Sequence, residues 1–364
     1  MNIYVFEYVQ YSLEQIGFID EYQSFIWTER YFTANDCELV VQATKKNIDM
    51  LKIGRFITHH QSRSGTICRI CKVEVTTDAN KGRWLIIKGE DLRMILNQRV
   101  DTRLLASETT AREAIKSIID DNFTNPTIQN RKVPNMYFDN GSTTPTDAYV
   151  TEAGFYNCYE KIVEICKNFN YGTKMIFIDE GDVVLLIFNI YYGVDRSRSQ
   201  STNPAVIFSE SMDALATTDY AEDYSTYKNL AIIAGEGDGA DRQIERVTKS
   251  DDYVGFTRRE VFIDGKSLTK KTNDGELTPA EYSAMLIQYA KDQLSFLEPT
   301  VSFSGTVANN IYKYKTDYNL GDIVTVESPL GTSYDARVVE IIENDDVQNG
   351  HIWIPKFDFI RQTT

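Results

Sequence analysis

The apolar residues of this chain are gathered into runs no longer than a β-strand. The longest, residues 183–190 (VVLLIFNI), comes directly after the turn sequence DEGD. Runs of this length, rich in aromatic and β-branched residues and broken by turn formers, fold as strands rather than as long helices. Tyr (22) and Phe (18) far outnumber Pro (8), so the bias toward strands holds along most of the chain. No run reaches the roughly 18 apolar residues of a membrane-spanning helix. The N-terminus has no basic segment followed by an apolar one, so synthesis and folding in the cytosol is the expectation.

Taken in order, residues 1–104 read as mostly β. Strand-forming segments lie at 24–32 (SFIWTERYF), 38–44 (ELVVQAT), 66–75 (TICRICKVEV) and 83–88 (RWLIIK), the last two separated by the turn DANKG. Residues 91–100 carry Leu92, Ile95 and Leu96 at helical spacing. Several short strands joined by turns predict a small barrel or sandwich. Residues 105–200 change character. A helix capped by Thr109 or Thr110 carries Ala114, Ile115, Ile118 and Ile119 on one side. A long polar loop at 125–147 comes next, then a second helix at 155–168 and two strands, 174–178 and 183–190, joined by DEGD as a hairpin. Residues 194–204 (VDRSRSQSTNP) read as a polar linker. Residues 201–264 and 298–364 return to strands around a helical insert, 265–297, in which Thr278 caps and Pro279 opens the helix. The expected fold is mainly β with an α+β insertion, the two β-rich parts being of similar size.

With 42% hydrophobic residues the chain has ample material for a core, and its net charge of −15 makes it a poor nucleic-acid binder. Five Cys is an odd number for a disulfide framework, and the three His (His59, His60, His351) restrict histidine catalysis. Cys68 and Cys71 form a CxxC, but on a strand their side chains point to opposite faces and do not converge on a metal. His59 and His60, adjacent in an extended segment, face opposite ways and read as surface or partly buried polar residues. Ser64 and Ser304 lie near glycines without a nucleophile elbow. No carboxylate pair is singled out as a glycosidase pair. Tyr312, Tyr314 and Tyr318, with Lys313 and Lys315, read as a β-hairpin arm rather than a sugar- or nucleic-acid-binding face.

The most distinctive stretch is residues 229–264, NLAIIAGEGDGADRQIERVTKSDDYVGFTRREVFID. Gly235, Gly237 and Gly239 have the spacing of a phosphate loop. The ADRQIERV after them leads into more strand-like sequence and not into a helix N-terminus, and Glu236 and Asp238 repel phosphate. Glu236, Asp238 and Asp241 do not match the calcium-loop spacing either. The segment reads as a β-hairpin with an acidic tip and a basic exit. Arg258, Arg259 and Glu260 form a charge cluster suited to a surface or a subunit interface.

These segments together resemble the tail-hub proteins of long-tailed bacteriophages, the baseplate hub or N-terminal tail-associated protein. SFIWTERYF with CELVV is similar to the opening of such proteins. GEGDGADRQIERV…GFTRREVFID is similar to their central signature. VSFSGTV…YKYKTDYNLGDIVTVESPLG…ARVVEI is similar to the closing barrel, with Tyr318, Leu320, Gly321 and Asp322 at its centre. The resemblance implies two tube-type β-barrel domains, 1–104 and 201–264 with 298–364, around the α+β domain at 105–200. It implies a homotrimer forming a pseudo-sixfold ring at the virion tail tip, with Arg258, Arg259, Glu260, Tyr318 and Asp322 as possible subunit-interface residues. The implied partners are a distal tail protein or tail-tube hexamer, the tape measure protein, and tail-tip or receptor-binding proteins. DNA would pass the lumen without specific binding, along a wall made acidic by part of the −15. No cofactor or metal is implied. Many such proteins carry a C-terminal enzymatic or receptor-binding extension. The end at Thr364 implies a structural, non-catalytic chain whose tip comes from another protein. The alternatives are a tail-tip cell-wall hydrolase, a receptor-binding module, or the hub of a phage-derived injection device.

Overall fold

The structure, a computed structural model, describes residues 1–60, 63–78, 82–102, 107–139, 147–151, 155–209, 214–248, 250, 253–272, 275–307, 311–348 and 350–360. The DANKG turn falls partly outside them. The first strands, β1 (Ile3–Val9) and β2 (Ser12–Ile19), form a hairpin. They are succeeded by β3 (Ser24–Arg30), β4 (Asp36–Gln42), the short β5 (Phe56–Thr58), β6 (Cys68–Asp78) and β7 (Gly82–Asp91). Alternation sets the buried face. Phe25 and Trp27 of β3, Leu39 and Val41 of β4, and Leu85 and Ile87 of β7 all point into one core with Ile3, Val5 and Ile57. Cys68 is buried there and Cys71 is exposed, so the CxxC is split between faces as its strand dictates.

Residues 92–98 are helical, wound as a 3₁₀ helix. Beyond them α1 (Ala111–Ile119) and α2 (Cys158–Phe169) pack on the hairpin of β8 (Gly172–Asp179) and β9 (Val184–Tyr191). Thr110 Oγ1 caps α1 by accepting from Glu113 N at 3.2 Å, and Asn157 caps α2. Asn170, in the left-handed region at φ 59°, ends α2. Gly181 at φ 100° makes the DEGD turn. Ile115, Ile118, Ile162, Ile165, Met175 and Phe188 form the core of this layer. Within the expected long loop, residues 136–138 form a short strand parallel to β9.

A separate unit, residues 220–302, holds β10 (Leu230–Ala234), β11 (Ile244–Thr248), β12 (Glu260–Asp264) and α3 (Pro279–Ser295). β10 is central, antiparallel to β11 and parallel to β12. Ala231 and Ile233 point to the face that α3 covers with Tyr282, Leu286, Ala290 and Leu294. Thr278 and Glu281 form a capping box and Pro279 takes the first turn, as the sequence predicts.

The chain returns through β13 (Thr300–Val307), β14 (Ile323–Glu327), β15 (Ser333–Asp346) and β16 (Gly350–Phe359). β15 pairs with β16 and, from Glu340 to Asp346, with β3. C-terminal and N-terminal strands therefore share one ladder, ordered β13-β16-β15-β3-β4-β7-β6-β5-β1-β2, with β14 beside β15. No closed barrel forms among the described residues. The sequence expectation grouped 201–264 with 298–364 and set 265–297 apart. Contacts instead divide the chain into 1–219 with 303–364 and 220–302. The physical reason is that the β10–β12 sheet buries its apolar side on α3. Residues 194–204 are no free linker either. Val194 N donates to Asp322 Oδ1 at 2.7 Å and Arg196 Nε to Asp322 Oδ2 at 2.9 Å, which pins the segment along β14. No helix of the described residues is long and apolar enough to cross a membrane.

Candidate functional site

The glycine and acid loop joins β10 to β11 as a hairpin, Ala234 opposite Ile244. A Cβ on Gly235 would lie 2.3 Å from Tyr282 Oη, so only glycine passes there. That hydroxyl accepts from Glu236 N at 2.6 Å and donates to Leu268 O at 2.7 Å, fixing the loop to α3. The acids are engaged within the unit. Glu236 accepts from Lys270 N at 2.9 Å, Lys266 Nζ lies 2.7 Å from Asp238, and Arg242 pairs with Asp264 while donating to Gly235 O at 2.7 Å. The only helical turn in the loop is a three-residue 3₁₀ turn, Gly239–Asp241, and it leads into β11 rather than into a helix. No group of three or more His, Cys, Asp or Glu among the described residues is placed to hold a metal ion.

At the basic exit, Arg258 Nε donates to Glu260 at 2.6 Å, and the Arg259 guanidinium bonds Tyr224 O and lies 5.8 Å from the Tyr227 ring centroid. Beside this cluster Phe256 is wholly exposed and Val254 is 71% exposed. Tyr318 and Asp322, expected with them, are used by their own chain. Tyr318 packs edge-on against Phe208 at 5.2 Å, and Asp322 is 1% exposed with Val194, Arg196 and Asn319 as its partners. Gly321, at φ 93°, lets the backbone pass the Tyr31 ring, which a Cβ would approach to 2.2 Å. Tyr312, Tyr314 and Tyr318 form no hairpin arm. Their segment is a turn with Lys315 at φ 67°. Tyr314 Oη donates to Glu29 at 2.7 Å, and Lys315 Nζ lies 2.9 Å from the same carboxylate.

All three histidines meet one buried carboxylate or its neighbour. Glu343 of β15 is 2% exposed, with His351 Nε2 2.7 Å from Oε1 and His59 Nε2 3.2 Å from Oε2. His59 and His60 do not diverge, because Thr58 Oγ1 accepts from His60 N at 3.3 Å and curls the chain after β5. Their ring centroids lie 3.7 Å apart. Burial pushes the His59 pKa down to about 2, reinforced by His60, Lys315 and His351. Burial raises that of Glu343, against the opposing pull of His351. Trp27 Nε1, both His59 nitrogens and Glu343 Oε2 make no aligned hydrogen bond with protein groups. Sequence reasoning missed Glu343 because nothing in the β15 alternation marks it. It also missed Arg93, 1% exposed, which reaches from the 3₁₀ helix to Asp91 (2.6 Å), Asn35 Oδ1 (2.6 Å) and Thr173 O (2.6 Å). Arg93 thus ties the first strands to β8.

A long open β-ladder combined with a helix–hairpin layer is the fold of this chain. Solved structures share this fold. The prophage MuSo2 43 kDa tail protein from Shewanella oneidensis matches with a TM-score of 0.57 at 12% identity, over 98% of this chain and 98% of that one. Prophage tail protein gp18 from Listeria monocytogenes EGD-e matches at 0.52 and 13%, over 100% and 96%. A chain of the Francisella PdpA-VgrG complex matches at 0.54 and 10%, over 100% of this chain and 54% of that one. The family described as "Siphovirus ReqiPepy6 Gp37-like protein" matches residues 2–357, and the chain belongs to that family. No curated protein sequence matches it.

Proposed function

We propose that this chain is the structural hub of a phage tail tip. Three copies form a pseudo-sixfold ring that seats on a distal tail protein or tail-tube hexamer, closes the tube, and lets the tape measure protein and then DNA pass. The observation that carries the reading is the end-to-end likeness of the fold to that of prophage tail proteins, over 98% of both chains in the Shewanella case. The likeness to a chain in a VgrG complex supports a place at the tip of the tube. The net charge of −15 supports a lumen that DNA traverses without sticking. The ring would use the long ladder as its wall, and the exposed Arg258 and Glu260, beside the half-buried Arg259, stand where a neighbour could meet them. The role is architectural, and tail-tip or receptor-binding proteins supply recognition of the cell. Imaging virions with a tag on this chain tests the reading. Density at the tail tip supports it, and density along the tube or in the capsid overturns it.

A further inference from the structure

Four consecutive strands of the ladder finish together at one end, and the side chains there share a face. Asp346 of β15 stands opposite Ser24 of β3, Ser24 opposite Val40 of β4, and Gln42 of β4 opposite Trp84 of β7. Residues opposite each other across strands lie on the same side, as do alternate residues along one strand. Asp346, Ser24, Gln42 and Trp84 therefore lie on the side away from Phe25, Leu39, Val41 and Leu85, which fill the core. The loop from β2 to β3 forms one wall with Asp20, Glu21 and Tyr22. The short helix Lys45–Met50 forms another with Lys46 and Asn47. Floor and walls bound a cleft of about 720 Å³.

The walls are held in place by their own hydrogen bonds. Tyr22 Oη donates to Asp345 Oδ2 at 2.5 Å, and its ring meets Phe25 edge-on at 6.3 Å. Asn47, buried, donates Nδ2 to Gln42 O at 2.9 Å. On the floor Asp346 is engaged by Asn344 Nδ2 at 2.9 Å and Gln348 N at 2.7 Å, so Ser24, Gln42 and the half-buried Trp84 make up the rest. Asp20, Glu21, Gln42 and Lys46 are exposed, and neither Asp20 nor Glu21 takes part in an ion pair among the described residues. A hydroxyl donates one hydrogen bond and accepts two, so hydroxyls serve a carboxylate, an amide and an ammonium alike. The excess of acid over base on the walls repels an anion. An indole on the floor offers apolar surface to the C–H face of a sugar ring. Ligand clefts run from roughly 300 to 1,000 Å³, so the size suits a short oligosaccharide.

We propose that this cleft binds a neutral saccharide. It lies wholly within residues 1–219 and 303–364 and does not rest on the ring assembly proposed above. The test titrates the full chain with maltotriose and with chitotriose, and with trigalacturonate and spermidine as anionic and cationic contrasts. At least one neutral trisaccharide should give a saturable change in tryptophan fluorescence. Trp84→Phe should abolish that change while calorimetry still detects binding, since Trp27 is wholly buried in the core and Trp353 lies on β16. Glu21→Ala combined with Gln42→Ala, both at exposed positions, should weaken binding by at least about tenfold with an unchanged circular dichroism spectrum. The site is overturned if neither neutral trisaccharide binds, if the double variant binds as tightly, or if the fluorescence change survives Trp84→Phe. Tighter binding of trigalacturonate or spermidine overturns the ligand class. None of these outcomes bears on the number of copies, which tests the hub reading separately.

Discussion

Removing Asp91 should unfold the first unit far more easily than its position at a strand end would imply. Asp91 is 2% and Arg93 1% exposed. The carboxylate accepts from Arg93 Nε at 2.9 Å and Nη2 at 2.6 Å, and from the backbone N–H of Arg93 at 2.8 Å and of Asn35 at 3.0 Å. Arginine cannot shed its charge. In Asp91→Ala the guanidinium therefore stays buried with only Asn35, Thr173 and the Arg30 carbonyl as partners. An orphaned buried charge costs about 3–5 kcal/mol, against a total stability on the order of 5–15 kcal/mol. The three tryptophans, Trp27, Trp84 and Trp353, all lie in this unit, so their fluorescence in urea reports its unfolding alone. With m of about 3 kcal/mol/M, the midpoint should fall by about 1 M or more. Asp91→Leu with Arg93→Met removes both charges and should recover most of the loss. A midpoint shift below about 0.3 M for Asp91→Ala, or a double variant as unstable as the single, would refute the reasoning.

Tyr282→Phe should lower the melting temperature of residues 220–302, because Glu236 N and Leu268 O lose their buried partner at about 1–3 kcal/mol each. Hydrogen exchange at 230–248 should rise while β3 and β15 stay protected. The histidine site predicts opposing pH slopes. His59, neutral when folded down to about pH 2, takes a proton on unfolding, so its contribution is complete above about pH 6.5 and is lost as pH falls from there. Glu343, with its pKa raised by burial, acts the other way, and its destabilising effect fades as pH falls toward 4.5. Between about pH 7 and 5, stability measured in urea should drop most steeply for Glu343→Gln and least for His59→Phe. The His59 contribution alone is about 2 kcal/mol over roughly 1.5 pH units. Parallel slopes in all three proteins would contradict the assignment.

Strands and caps were legible because local chemistry decides them. The alternation in SFIWTER and RWLIIK, the DEGD turn, Thr110 before α1 and the Thr278–Pro279 start of α3 each carry their own signal. The Gly235 hairpin was legible for the same reason, since the strand-forming IERV beyond the loop could not begin a phosphate-binding helix. The features that the sequence concealed depend on contacts between distant residues. The pairing of β15 with β3, more than 300 positions apart, leaves no local mark, and it joins the N-terminal and C-terminal strands in one continuous ladder. His59 and His60 were misread because a single hydroxyl, that of Thr58, bends an otherwise extended segment. Tyr318 and Asp322 were expected at the centre of the closing motif and as possible interface residues, and Asp322 holds residues 194–196 in place. Arg93 carries no mark in the sequence, because its burial depends on the distant Asn35 and Thr173 as well as on Asp91.

The account stands most directly on the solution mass of the purified chain, alone and with tail-tube protein, by light scattering or sedimentation. It predicts three copies of the 41.6 kDa chain in one particle. A chain that remains a single copy at every concentration, with the tube protein present, would contradict it.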